Sequence, residues 1–301
     1  MSHHHSASSL SPSAAAVNQD SVIDSLISAE PHHSPPPDYL RRLHRRHVHV
    51  TRRQDSVNWI LHAHAHFSFR PLTALLAVNY FDRFLSTAAV SFDGDNGWEF
   101  QLLSVACFSL AAKMEEPEAP SLSDLQVSEP RFVFEPKTVR RMELWVMEQL
   151  NWRLRSVTPF DFLHYFIFNL PQSSSFNHQS FLWVCSDLIV KTLRVIDFLG
   201  FRPSVIAAAA VISAAGEGVV IPESYYAKVN KEMVRSCHRL MEEYLVDTCP
   251  WGNNGVRKLR RSDEPPASPD GVLDAAACVS CGSCSDDGVL VPATFSGYQD
   301  K

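Results

Sequence analysis

Two stretches of this chain are apolar on every side over the length of a helix. The first, about 98–114, carries Leu102, Leu103, Val105, Ala106, Cys107, Phe108, Leu110 and Ala111. The second, about 203–216, begins Pro-Ser-Val-Ile-Ala-Ala-Ala-Ala-Val-Ile-Ser-Ala. A helix without a polar face has to be surrounded by other elements. Each stretch therefore predicts the centre of a helical bundle. Pro117 and Pro120 stop the first helix, and Pro203 opens the second at a position where a missing N–H costs nothing.

Helical periodicity predicts the neighbours of each centre. Around the first are 56–67, 72–87 and a helix opened by Pro136, whose Val139, Met142, Val146 and Leu150 recur on one face. Around the second are 159–169, 178–198 and 230–247. Thr158, Pro159 and Asp161 read as a helix cap, a first-turn proline and a capping-box acid. Glycine placement agrees. The 301 residues hold 11 glycines, about half the usual share of roughly 7%. Six follow Trp251, and Gly94, Gly97, Gly200, Gly216 and Gly218 fall between helices. No glycine run is left to cradle a phosphate or a dinucleotide, and an all-β fold with frequent glycine turns is excluded.

The ends differ from the middle. Residues 1–38 hold 10 Ser, 5 His and 5 Pro and no Phe, Trp or Tyr. Such a composition predicts a disordered segment. Residues 252–301, with Pro265-Pro266 and Ser268-Pro269, read the same way. Two helical folds are expected between them, at 39–155 and 156–251. The net charge of −6 gives no basic footprint for nucleic acid. No apolar run reaches the ~18 residues of a membrane span. Cys107, Cys185 and Cys237 sit in apolar helical patterns, a usage that suits a reducing compartment.

One stretch is more specific. Arg53, Trp59-Ile60, Phe69, Ala74 and Ala77-Val-Asn-Tyr-Phe-Asp-Arg-Phe84 resemble the cyclin-box signature. Leu102 follows, then Leu-Ala-Ala-Lys-Met-Glu-Glu with Lys113, then Arg-Met-Glu-Leu with Glu143. Asp-Ser-Val-Asn-Trp-Ile-Leu and Trp-Arg-Leu-Arg-Ser-Val-Thr-Pro-Phe-Asp-Phe-Leu are similar to plant D-type cyclins. The resemblance covers about 40–250. It implies an all-α chain of two tandem five-helix cyclin folds, with Trp59 and Leu102 in the core. It also implies a regulatory subunit, not an enzyme, that binds and activates a cyclin-dependent kinase at the G1/S transition, in the nucleus and without a cofactor.

The resemblance also implies roles for single residues. Arg53 and Asp82 correspond to an internal ion pair. Lys113 would donate to main-chain carbonyls of the kinase's mobile helix, with Glu143 as the complementary acceptor. Leu110, Met114, Met147 and Trp152 would give apolar contact around them. From the residues alone, Lys113 can also be read as a lysine snorkelling at a helix C-terminus, Glu143 as a solvated acid, and the apolar four as plain core. Further partners implied are kinase inhibitor proteins and a retinoblastoma-related protein. The family's Leu-x-Cys-x-Glu docking motif is matched only by Leu26-Ile-Ser28-Ala-Glu30, with serine for cysteine. In the family's substrate-docking patch this chain has Arg52, Asp55 and Ser56 instead of apolar residues.

The alternative reading, a two-fold transcription-factor module, calls for a basic surface and an N-terminal zinc ribbon. No cysteine precedes Cys107. His62, His64 and His66 alternate on a helix and are expected at the surface, with no metal. Cys278, Cys281 and Cys284 lack a fourth ligand. Six arginines in 41–53 read as the face of a helix before the box, or as a nuclear-import patch. Ser11-Pro12, Ser34-Pro35 and Ser268-Pro269 are sites a proline-directed kinase would recognise.

Overall fold

The computed structural model describes residues 12–87, 92, 97–127, 132–171, 178–216 and 219–244, with side chains from Asp20 onward. Among the described residues there is helix, turn and loop but no strand. The helices are α1 (Pro12–Ala29), α2 (Tyr39–His44), α3 (His47–Phe67), α4 (Pro71–Ser86), α5 (Trp98–Glu115) and α6 (Pro136–Gln149). After these come α7 (Phe160–Phe168), α8 (His178–Thr192), α9 (Pro203–Ala215) and α10 (Lys231–Tyr244). Short 3-10 turns lie at Ile196–Gly200 and Glu223–Tyr226. Proline occupies the first turn of α4, α6 and α9, where its fixed φ suits a helix start.

Two apolar cores form, one per group of helices, within one compact unit. In the first, α5 is the centre. Every side chain from Leu102 to Ala112 is buried, as an all-round apolar helix requires. In the second, Ala207 to Val211 of α9 are fully buried, and α7, α8 and α10 pack around it. The run of alanines lets those helices approach closely. α4 is the wall between the cores. It packs along α5 and touches α8 on its other side, and its Leu75 belongs to the second core. Tyr80 and Arg83 of α4 also hold the connection between the folds. The Tyr80 hydroxyl donates to the Leu154 carbonyl, and Arg83 Nη1 donates to the Arg153 carbonyl and Ser156 Oγ, each at 3.0 Å.

The expected ion pair is present and deeply buried. Arg53 Nε and Nη2 donate to the two oxygens of Asp82 at 2.8 Å each, with both residues 2% exposed. The Tyr39 hydroxyl donates to Asp82 Oδ1 at 3.0 Å, and Arg53 Nη1 donates to the Leu193 carbonyl at 3.3 Å. One pair thus joins α2, α3, α4 and the end of α8. Burial works against the guanidinium's charge, and the Asp82 carboxylate more than offsets it, so Arg53 holds its proton above the ordinary arginine range. Burial, and then Asp82, keeps the Tyr39 phenol protonated far above its usual pKa.

The structure differs from the sequence expectation in three places. The N-terminal segment, expected to be disordered over 1–38, is helical from Pro12 to Ala29. Ile23 is 4% exposed in the second core, with Leu26 and Ile27 packed beside it, and Asp24 pairs with Lys228 at 2.7 Å. These three apolar residues fall at i, i+3 and i+4, enough for one helix face but too few to register in a composition averaged over 38 residues. Glu30 then accepts a 2.6 Å hydrogen bond from the Ser204 backbone N–H in the first turn of α9. It caps a helix 174 residues away in sequence. Burial raises the Glu30 pKa, against the opposing pull of Ser204 and Arg202.

The second difference is in α8, expected over 178–198, which stops at Thr192. The Thr192 hydroxyl turns back to the Ile189 carbonyl, and the Leu193 carbonyl accepts from Arg53 instead of continuing a helix. The third is the basic run, which is not one solvated face. Arg41, Arg45 and Arg46 are exposed, but Arg53 is buried and Arg42 donates to the Ser86 carbonyl at 2.7 Å.

Two outcomes follow. Removing one side of a buried ion pair costs about 3–5 kcal/mol, a large part of a total of about 5–15 kcal/mol. Arg53→Ala should therefore yield little soluble folded protein, and a thermal melt superimposable on the wild type would contradict this. Glu30→Ala leaves the α9 N-terminus without its charged acceptor and should cost about 1–3 kcal/mol. Glu30→Gln keeps an oxygen for Ser204 and should melt between the two in differential scanning fluorimetry.

Candidate functional site

Lys113 is the first charged residue on α5 since Glu99. It emerges where the helix leaves the core, with its charge favourable in the last turn. Glu143 stands on α6 between the buried Met142 and the exposed Leu144. Its carboxylate lies at the boundary of the core, where an unpaired charge is costly. The two meet: Lys113 Nζ donates to Glu143 Oε1 at 2.6 Å. The lysine side chain is 44% exposed and the glutamate 7%. An ammonium has three donors. One holds Glu143, and the ammonium is partly open to solvent.

The surroundings divide the apolar candidates. Met114 is 44% exposed and Trp152 68% exposed, and Met147 is half-buried against the first core. Leu110 is a correction. It is 4% exposed and packs inside the first core, because α5 is still enclosed there. Leu144, 56% exposed, was not singled out by the spacing of α6. That pattern marks Val139, Met142 and Val146 as the inner face, and Leu144 falls outside it. Glu143 and Leu144 share a helix face with Met147.

The end of α6 sets the position of Trp152. The Trp152 N–H donates to the Met147 carbonyl and the Asn151 N–H to the Glu148 carbonyl, both at 2.9 Å. This is a Schellman closure with asparagine at its left-handed position, Asn151 having φ 51°. Trp152 follows at φ 59°. A left-handed aromatic residue costs about 1–3 kcal/mol and persists only where its surroundings hold it. Here it keeps a large apolar ring in solvent just beyond α6, the helix that carries Glu143.

The remaining assigned residues are structural. Leu102 is 6% exposed in the first core. Trp59 Nε1 donates to the Val127 carbonyl at 3.2 Å, and its ring meets Phe108 edge-on at 6.0 Å. Leu26, Ser28 and Glu30 are not laid out for docking. All three are on helix α1, where Leu26 faces the second core, the Ser28 hydroxyl returns to the Asp24 carbonyl, and Glu30 is 1% exposed. Helical packing and the α9 cap use the groups that a docking peptide would present. In the family's substrate-docking patch, Ser56 is buried, Asp55 exposed, and Arg52 lies against Gly97. A Cβ on Gly97 would come within 2.7 Å of that guanidinium and displace it, and Gly97 itself has φ 69°, a conformation that favours glycine.

His62 and His66 are exposed. Among the described residues no group of three His, Cys, Asp or Glu is placed to hold a metal, and no helix is long and apolar enough to cross a membrane. Ser11, Ser268, Cys278, Cys281 and Cys284 lie outside the described residues.

Residues 21–155 match the cyclin N-terminal domain and 157–263 the cyclin C-terminal domain. Cyclin-D4-1 of Oryza sativa subsp. japonica is 42% identical over 292 residues, covering 94% of this chain and 79% of that protein. Cyclin-D1-1 of Arabidopsis thaliana is 44% identical over 230 residues, 73% of this chain and 67% of that protein. The X-ray structure of a viral cyclin from herpesvirus saimiri superposes with a TM-score of 0.55 at 17% identity, over 65% of this chain and 84% of that one. That likeness shows the shared fold. Two domain matches that together run from Ser21 to Asp263, and relatives of this identity, place the chain in the cyclin family, with its plant D-type members.

Proposed function

We propose that this cyclin binds the mobile regulatory helix of a cyclin-dependent kinase through the α5–α6 face and activates it at the G1/S transition. The observation that carries the reading is the Lys113–Glu143 pair with exposed apolar groups on the same two helices and just beyond α6. A charged donor and a charged acceptor side by side can take up a main-chain carbonyl and a main-chain N–H of a partner helix end. Met114, Leu144 and Trp152 are large apolar groups left in water, and aromatic anchors of this kind dominate interface energetics.

Binding of this kind needs no chemistry from the cyclin. The active kinase requires its strand lysine paired with a glutamate on the mobile helix. A partner that fits only the inward position of that helix shifts the population toward the competent state. Moving an equilibrium from about 1:99 to 99:1 takes about 5.5 kcal/mol of differential affinity. Hydrogen bonds to charged groups contribute about 1.5–3 kcal/mol each. The pair and its apolar border are thus of the right order to do it. The exposed arginines at 41, 45 and 46 support the further reading that the complex works in the nucleus, as an import patch.

Co-purification with a cyclin-dependent kinase tests the site. Lys113→Ala and Glu143→Ala should each lower recovery and histone-kinase activity about 10- to 100-fold. Equal recovery of wild type and the double variant would overturn the assignment. Trp152→Ala should weaken binding about 10-fold or more while leaving the melting temperature within about 2 °C, because its ring is already in solvent. A large loss of melting temperature would make Trp152 structural instead.

A further inference from the structure

Between α1 and α2 the chain runs without helix through His33-Ser34-Pro35-Pro36. Ser34 is half-buried. With Pro35, Asn79, Asp82 and Val157 it lines a cavity of about 100 Å³ between the two folds. The His33 carbonyl is held by Asn79 Nδ2 at 2.9 Å. Asn79 in turn accepts from Arg83 Nη1 at 3.4 Å and from Ser156 Oγ at 3.0 Å. Ser34 is therefore pinned next to the polar network of α4 and the linker.

That network has an excess of positive charge. Arg83 is 7% exposed. Among the described residues its acceptors are the Arg153 carbonyl, Ser156 Oγ and Asn79 Oδ1, all neutral groups. The contrast with Arg53, which is on α3 and clamped by a carboxylate, is direct. Burial brings the Arg83 pKa down to about 10; Tyr80 opposes the shift and the like charge of Arg153 adds to it. Burial and then Arg83 and Arg153 lower the His33 pKa, and His33 Nδ1 is buried without a hydrogen-bond partner. Two carboxylates are near, and both are engaged. Asp161 accepts from the Thr158 N–H and hydroxyl at 2.7 and 2.8 Å. Asp82 is taken by Arg53 and Tyr39. Among the described residues no carboxylate is paired with Arg83, and the adjacent Ser34 precedes a run of three prolines.

We propose that Ser34 is a phosphoacceptor for a proline-directed serine/threonine kinase, and that its phosphate is received by Arg83, Arg153 and His33. In the transfer, Ser34 Oγ bonds to the γ-phosphorus of ATP, the bond from that phosphorus to the ADP oxygen breaks, and the hydroxyl proton passes to the kinase's base. The products are ADP and a phosphoserine carrying about −1.5 to −2 charges at pH 7. Phosphate next to arginines makes charge-assisted hydrogen bonds. Here these tie the α1–α2 connection to the linker between the folds, so the modification tightens the seam between them. The inference is independent of the α5–α6 face.

The test uses the full chain, a purified mitogen-activated-type proline-directed kinase and Mg–ATP, with sites mapped by tandem mass spectrometry. Phosphate is expected on Ser34 in the wild type and not in Ser34→Ala. Phosphorylation at Ser34 should raise the melting temperature by about 3 °C or more, measured in the Ser11→Ala/Ser268→Ala background so that no other Ser-Pro site contributes. Arg153 is exposed, so Arg153→Gln folds normally and should remove at least half of that rise. Three results would each overturn the proposal: Ser34 left unmodified while Ser11 or Ser268 of the wild type accepts phosphate, modification of Ser34 with an unchanged or lower melting temperature, or an undiminished rise in Arg153→Gln.

Discussion

The buried Arg53–Asp82 pair is the interaction around which the rest of the chain is arranged. Two charges taken out of water cost several kcal/mol each unless every lone pair and proton is used. Here they are used by different elements: Tyr39 from α2, Arg53 from α3, Asp82 from α4 and the Leu193 carbonyl after α8. A pair that is only worth having when all its partners are present acts as a registry device. An apolar residue at either position would tolerate a sliding α3 or α4, whereas a bidentate guanidinium would not. The end of α8 at Thr192 belongs to the same account, since a carbonyl kept inside a helix would already be taken.

A further ion pair of the first fold shows what burial decides. Lys113 and Glu143 also come from two helices and also meet at hydrogen-bond distance. One member is nearly half exposed, so the pair holds little of the fold together. The same residue chemistry thus gives a buried clamp at 2% exposure and a surface pair, the one proposed to bind the kinase, at 44%. What separates the two is where along α4, α5 and α6 the apolar positions run out. Ala112 is the last fully buried residue of α5, and Lys113 follows it.

Much of this could be read from the chain alone, for identifiable reasons. α5 and α9 were legible because a helix with no polar face has one physical solution. The starts of α6 and α9 were legible because proline marks them. Lys113 and Glu143 were legible only through resemblance: nothing in the spacing of two residues 30 positions apart says that their side chains meet. Leu110 was misplaced for a related reason, since apolar character near a site does not say which side of a helix faces out. The role of α1 was hidden in Ile23, Leu26 and Ile27, three residues within a serine- and proline-rich stretch. Glu30 was hidden further, because its partner is a backbone N–H on α9. A short motif match, Leu26-x-Ser28-x-Glu30, was the nearest sequence signal at that place, and it carried no information about the packing of Leu26 or the cap made by Glu30.

The path of the N-terminal segment explains why the two folds behave as one body. α1 lies on the second core, Glu30 caps α9, the His33 carbonyl binds Asn79 on α4, and Tyr39 closes onto Asp82. Within twenty residues the chain has touched the second fold, the wall between the folds and the central ion pair. Its ordering entropy, about 1–2 kcal/mol per residue for backbone alone, is offset by contacts that neither fold could supply without the other. A seam so fastened matters for activation. A binding face shifts its partner's population only by its differential affinity for the two states, and a face that yields loses that difference. If α6 could tilt to meet an outward kinase helix, the outward and inward positions would bind alike. The Schellman closure at Asn151, the linker held by Tyr80 and Arg83, and the strap from α1 all hold the ground on which Glu143 and Trp152 stand, which is the stiffness that the proposed kinase-binding face requires.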